Sequence, residues 1–132
     1  MKKWIAYIII CALLSVSISC AVASSEVSCF SSDTFFSVSV QPTASGVVAF
    51  NARLKLKCSS VSVTSCSLEK FEDGSWKFVK YLSTPEAKTN TNRYSVSKDY
   101  SSSLTSGNTY RFKATFSANG ETLSQTSPAL NY

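Results

Sequence analysis

Three kinds of residue in this chain could do chemistry: five cysteines, eight carboxylates and a set of clustered aromatic side chains. Histidine is absent from all 132 residues. Without an imidazole, neither a Ser-His-Asp nor a Cys-His nucleophilic site can be assembled, and His-based metal sites are excluded as well. Glu72 and Asp73 are adjacent in a turn sequence, a place where carboxylates are solvated. A glycosidase dyad needs two carboxyls facing each other across a cleft. Four glycines are arranged in neither a dinucleotide fingerprint nor a P-loop, and Asp73 and Asp99 lack the spacing of a helical calcium loop. The expectation is a protein that is not an enzyme and carries no cofactor or metal.

The cysteines point to redox compartment. Cys11 and Cys20 fall in the apolar N-terminus, leaving Cys29, Cys58 and Cys66 in the remainder. In an exported chain, three such cysteines favour a disulfide. Cys58 to Cys66 would close a short loop between two strands, and Cys29 to Cys58 is the competing pair. Three unpaired thiols are the third possibility. Either bridge leaves one cysteine over, free or available to link two chains. No histidine accompanies the Cys-x7-Cys spacing, so it does not define a zinc site.

Trp76, Phe78 and Tyr81 supply the positive hint of function, with Lys77 and Lys80 between them. Strict strand alternation puts Trp76, Phe78 and Lys80 on one face and Lys77, Val79 and Tyr81 on the other. Two readings follow. Either the rings of Trp76 and Phe78 fill the core, or they form an exposed stripe that stacks on sugar rings or grips a protein.

The elements that must position these residues are strands. Val48, Phe50, Ala52, Leu54, Leu56 and Cys58 alternate with polar positions including Asn51, Arg53, Lys55 and Lys57, which describes a half-buried strand with one apolar face. Phe36, Val38 and Val40 predict an earlier strand. Tyr94, Val96 and Tyr100 predict a later one, and Tyr110, Phe112, Ala114 and Phe116 another. Asp73-Gly74 and Asn119-Gly120 each separate two such runs and supply the positive φ that tight hairpins need. The segment 83–92 is polar and aperiodic and reads as a loop. No helical period is sustained anywhere. About seven short strands with regularly spaced turns predict an all-β antiparallel sandwich, with an up-and-down barrel as the lesser alternative.

The N-terminus reads as an export signal over residues 1–23. Lys2 and Lys3 precede the apolar run Trp4 to Leu14, and Ala21-Val22-Ala23 is a small-x-small cleavage pattern. About eleven apolar residues are too few to span a bilayer, and Ser17-Ile18-Ser19 before Cys20 is a poor context for lipidation. Residues 24–132 then form a single domain, long enough to bury about 65% of its extended surface. The whole chain carries 13 basic and 8 acidic side chains, a net +5. Without Lys2 and Lys3 this falls to +3, and the remaining cations are dispersed. Nucleic acid is not an expected partner, and no integral membrane span remains after cleavage. The predicted location is secreted or cell-surface associated.

The segment Leu104-Thr105-Ser106-Gly107-Asn108-Thr109-Tyr110 resembles the tyrosine corner of immunoglobulin-like and fibronectin type III domains, which implies a buried Tyr110 whose hydroxyl bonds to backbone a few residues upstream. The strands around Asn119-Gly120 are similar to the last two of a fibronectin type III module. The whole order over 46–127 resembles short, uncharacterised exported proteins of Gram-positive bacteria. Two departures stand out: Ser106 replaces a common Pro, and the Val48–Cys58 strand lacks the usual buried Trp. The resemblance implies a fold of immunoglobulin/fibronectin type III-like kind and no particular activity. An interaction module binding an unknown protein or a cell-wall glycan is the leading expectation. A structural, self-assembling protein, dimerised through the odd cysteine, is the alternative. Intact-mass measurement of the exported protein should give a product beginning at Ser24; a product retaining Met1 would overturn the signal assignment.

Overall fold

β-branched and aromatic residues at alternating positions build nearly every element of the computed structural model, which describes residues 32–132. The proposed signal, its cleavage point, Cys20 and Cys29 lie outside the described residues. The strands are β1 (Phe35–Pro42), β2 (Val47–Glu72), β3 (Ser75–Tyr81), β4 (Lys88–Asp99), β5 (Thr109–Ala118), β6 (Glu121–Thr126) and β7 (Leu130–Asn131). All pairings are antiparallel. The strands form one seven-stranded sheet rather than two separate ones, and the sheet curls into a half-barrel.

β2 organises the sheet. It runs for 26 residues, and straight it would measure about 85 Å, far beyond the dimensions of a domain of this size. It therefore has to bend. Its first half lies between β1 and β4, with Val48 opposite both Pro42 and Lys98. Its second half lies between β5 and β3, with Glu69 opposite both Arg111 and Phe78. Register breaks fall between Arg53 and Cys58 against β4, and between Val63 and Ser65 against β5. Such extra residues kink a strand and increase its twist, which carries β1 round until it packs against β5 and β6.

The breaks also reset which side chains face inward. Val48, Phe50, Ala52 and Leu54 are buried, followed by Cys58, then Val61 and Val63, then Cys66 and Leu68. Leu56, expected on the apolar face, lies in the first break and is 77% exposed. Phe36, expected to point inward with Val38 and Val40, sits at a register shift of β1 and is 65% exposed, and Phe35 is buried instead. The Arg53 guanidinium caps the displaced Phe36 ring at 5.3 Å.

The Cys58–Cys66 bridge does not form. Both residues lie in β2 with no turn between them, and both are free buried thiols. Eight extended steps span roughly 26 Å, whereas a disulfide needs Cα atoms within about 7 Å. The polar stretch after Cys58 is not a loop but the outer half of a continuing strand.

The core is completed by β5, whose Tyr110, Phe112, Ala114, Phe116 and Ala118 are all buried, and by Tyr94 and Tyr100. The Tyr110 hydroxyl accepts a hydrogen bond from the Thr105 N–H at 3.1 Å, the contact found in a tyrosine corner, and Gly107 between them has φ +83°. Leu104 packs against the core. The segment 82–87 straps the sheet: Tyr100 Oη donates to the Ser83 carbonyl at 2.7 Å and Tyr94 Oη to the Glu86 carbonyl at 2.8 Å. Strand β4 begins at Lys88, so the expected loop is shorter at its C-terminal end than the composition indicated. Both predicted hairpin turns are present, with φ of 52° and 75° at Asp73-Gly74 and 50° and 77° at Asn119-Gly120. Gly46 is needed for space as well as for its φ of +85°, because a Cβ there would meet Ser101 Cα at 2.8 Å. Among the described residues no helix is long and apolar enough to cross a membrane.

The altered phase of β2 predicts a contrast between two neighbouring leucines. Leu54→Ala should cost about 2–5 kcal/mol, the range for emptying a buried leucine site, while Leu56→Ser should stay within about 0.5 kcal/mol of wild type. Urea denaturation of the two variants checks this. Equal losses would restore the uninterrupted alternation.

Candidate functional site

Pairing geometry defines an outer face on the second half of the sheet. Because Cys66 and Leu68 point into the core, Ser65, Ser67, Glu69 and Phe71 point out. Their cross-strand partners share that face. These are Thr115, Lys113 and Arg111 on β5, opposite Ser65, Ser67 and Glu69. On β3 they are Tyr81, Phe78 and Trp76, opposite Ser67, Glu69 and Phe71. Strict alternation had separated Tyr81 from Trp76 and Phe78. One extra residue, Val79, sits at the register shift between the Leu68–Lys80 and Glu69–Phe78 pairs and returns Tyr81 to their side.

Four aromatic rings therefore occupy one outward surface. Phe71 meets Trp76 edge-on at 5.2 Å and 61°, and Phe78 meets Tyr81 at 5.0 Å and 60°. Phe78 is 57% exposed and Tyr81 74%. Trp76 is half-buried, because the Arg111 guanidinium stacks over its ring at 4.5 Å. The core-filling reading of Trp76 and Phe78 is thus replaced: neither ring joins the buried cluster. Phe71, Arg111, Lys113 and Glu69 were not identified from the sequence. Phe71 was within reach, since in a hairpin closed by Asp73-Gly74 the residue two before the turn faces the residue two after it.

Glu69 holds the polar part of this face together. Its side chain is only 12% exposed and bridges Arg111 through Oε2 and Lys113 through Oε1, the latter at 3.1 Å. Burial works to raise its carboxyl, but hydrogen bonds from Arg111 and Lys113, together with their charges, hold it below the usual glutamate range. Arg111 is thereby locked between Glu69 and Trp76.

Beside Tyr81 the face falls away into a shallow, open depression of about 350 Å³ between β2, β5 and β6. Ser and Thr hydroxyls dominate its walls, with Thr115 Oγ1 and Ser124 Oγ hydrogen-bonded at 2.9 Å. Lys113 is its charged group and no carboxylate lines it.

Among the described residues, two further groups able to do chemistry are held in the core, the Cys66 thiol and the Tyr94 hydroxyl. Burial pushes the Cys66 thiol up to about 11, with the Tyr100 hydroxyl and Lys98 pulling partly back, so it is protonated at neutral pH and a poor nucleophile. Burial also pushes Tyr94 up to about 12. Among the described residues, no three His, Cys, Asp or Glu side chains gather into a metal-binding group. Compared with known proteins, the chain matches no family model, no curated protein and no solved structure.

The Glu69 cluster carries a pH signature. A carboxyl whose folded pKa is depressed contributes stability above its unfolded value, and that contribution disappears as pH falls through the folded one. Wild type should therefore lose stability below about pH 4.3, the ordinary glutamate value. In Glu69→Gln this part of the slope should be missing. Thermal melts of both proteins from pH 7 to pH 3 check it, and parallel curves would show that the cluster does not bind its proton differently on folding.

Proposed function

We propose that the chain is an exported, non-enzymatic interaction module and that the outward aromatic face of the β2–β3 hairpin is its contact surface. The observation that carries this reading is the placement of Phe71, Trp76, Phe78 and Tyr81 on one uncovered face. β3 buries neither of its sides. A strand with this many rings would ordinarily serve a core, and exposed aromatic surface of this extent on a soluble chain marks a place where something docks. The absence of histidine and the engagement of Glu69 in ion pairs support binding rather than catalysis. Its export and surface location rest on the N-terminal signal pattern.

An immunoglobulin/fibronectin type III-like sandwich belongs to the same reading. It is supported by the packing of β1 across the curl onto β5 and β6 and by the Tyr110–Thr105 hydrogen bond. So does kinship with the small exported proteins of Gram-positive bacteria that the chain resembles. Self-assembly through sheet edges is less well supported. Lys77, Lys80 and the register shift at Val79 all fall on β3, and charges and bulges are the devices that discourage edge-to-edge pairing.

Sedimentation with washed cell envelopes tests the reading. The secreted protein should be retained, and the double variant Phe78→Ala/Tyr81→Ala should bind about tenfold less, equivalent to ~1.4 kcal/mol. Its melting temperature should hold, because both rings are exposed. Equal retention of the variant, or no retention of wild type, would overturn the assignment of this face.

A further inference from the structure

We propose that this face takes a carboxylate-bearing polysaccharide, lying with its sugar rings on the aromatic side chains and its acidic groups toward Lys113. The inference rests on the binding reading above and specifies its ligand. Three features of the surface select this class.

The first is which groups are available. The depression lies over the face of the sheet, where β2 and β5 have their backbone N–H and C=O groups spent in ladders on both sides and β6 is the edge strand at the rim. An extended peptide that binds by adding a strand pairs along an edge, whereas the middle of this depression, at Ser67 and Lys113, lies on strands paired on both sides. What it presents instead is the hydroxyls of Ser67, Thr115, Ser124 and Thr126. Hydroxyls both donate and accept, and so do the hydroxyls of a sugar, so the two sets match in either sense.

The second is continuity between apolar and polar parts. Tyr81 belongs to both, touching Phe78 at 5.0 Å and lining the depression. From Trp76 to Tyr81 the strand runs roughly 16 Å, so the ring surface and the hydroxyl floor form one track rather than two sites. A sugar ring has an apolar C–H face and a polar rim, and that division fits rings beside hydroxyls. The length of the track suits a chain of several units better than a single sugar.

The third is charge. Arg111 and Lys113 share a single carboxylate, Glu69, which leaves one positive charge in excess on the face. Lys113 is the partner that reaches the depression; its side chain is 49% exposed, against 26% for Arg111. No carboxylate lines the depression itself, and the one beside Lys113, Glu69, is shared with Arg111, so an acidic sugar meets net attraction there. One excess charge is far short of the phosphate contacts that nucleic-acid binding requires.

Fluorescence reads the interaction directly. The chain has two tryptophans, Trp4 and Trp76, so the full chain carrying Trp4→Phe reports from the proposed track alone. The probes are an oligogalacturonate, a hyaluronan oligosaccharide, a maltooligosaccharide of matching length and poly-glutamate. At least one of the acidic sugars should change Trp76 emission and bind at least tenfold more tightly than the uncharged sugar or poly-glutamate. Adding Lys113→Gln, which keeps the Glu69–Arg111 pair, should remove that preference. Adding Tyr81→Ala should weaken every sugar. Equal binding of poly-glutamate would reduce the site to bare charge, and equal binding of the maltooligosaccharide would remove the role given to Lys113. No response to either acidic sugar would overturn the polysaccharide. In that last case, envelope retention lost in Phe78→Ala/Tyr81→Ala would leave the contact surface standing with another kind of ligand, while retention unaffected by that variant would remove both.

Discussion

One long strand has to serve a small core, and the other features of the sheet follow from how it bends. β2 supplies partners to β1, β3, β4 and β5, so it is at once the floor of the interior and the support of the outer face. In a strand the side-chain period is two, and a slip of one residue exchanges the faces completely. The extra residue between Val63 and Ser65 does this locally. Continued from Val61 and Val63, the inward series would take in Ser65, Ser67 and Glu69 and expel Cys66 and Leu68. The break reverses that, placing a cysteine and a leucine inside and a serine row with one glutamate outside. The polar lining of the depression and the Glu69 ion pairs are consequences of that single insertion.

A second insertion does the same for β3. Without Val79 at the register shift, Tyr81 would point away from Trp76 and Phe78, and the aromatic track would stop short of the hydroxyl floor. Bulges near functional surfaces commonly re-aim a side chain in this way. Here two of them, on adjacent strands, bring the rings and the hydroxyls to one side.

These insertions also mark where the sequence stops being readable. Uninterrupted alternation in Val48–Leu54 and in Tyr110–Phe116 was legible, because each position there obeys a period of two and the buried set matches it. The two hairpin turns were legible because Asp-Gly and Asn-Gly carry the backbone demand in their own chemistry. A bulge leaves no such residue signature. Leu56 is as apolar as Leu54, and only the pairing with β4 reveals that it faces water. The polar run after Cys58 looked like a loop because serines and threonines on an outer face resemble those of a turn, and the expected Cys58–Cys66 bridge followed from that break. In the same way, the aromatic residues were identifiable by type, but their common face depended on a register that composition does not encode.

The order of the aromatic face before any ligand arrives bears on whether it can bind at useful strength. Association loses free energy to every side chain that must be immobilised, about 0.5–1.5 kcal/mol for a flexible one. Trp76 is already fixed between the edge of Phe71 and the guanidinium of Arg111, and Arg111 is in turn fixed by Glu69. Phe78 and Tyr81 rest against each other, and rings of this kind have only two rotatable bonds to lose. Lys113 is the flexible member, half exposed and shared with a carboxylate that Arg111 already satisfies. A surface built this way meets a ligand with its rings set and one half-exposed cation that can exchange its pairing with Glu69 for an acidic group. That arrangement favours tolerance along a repeating chain over recognition of a single rigid shape.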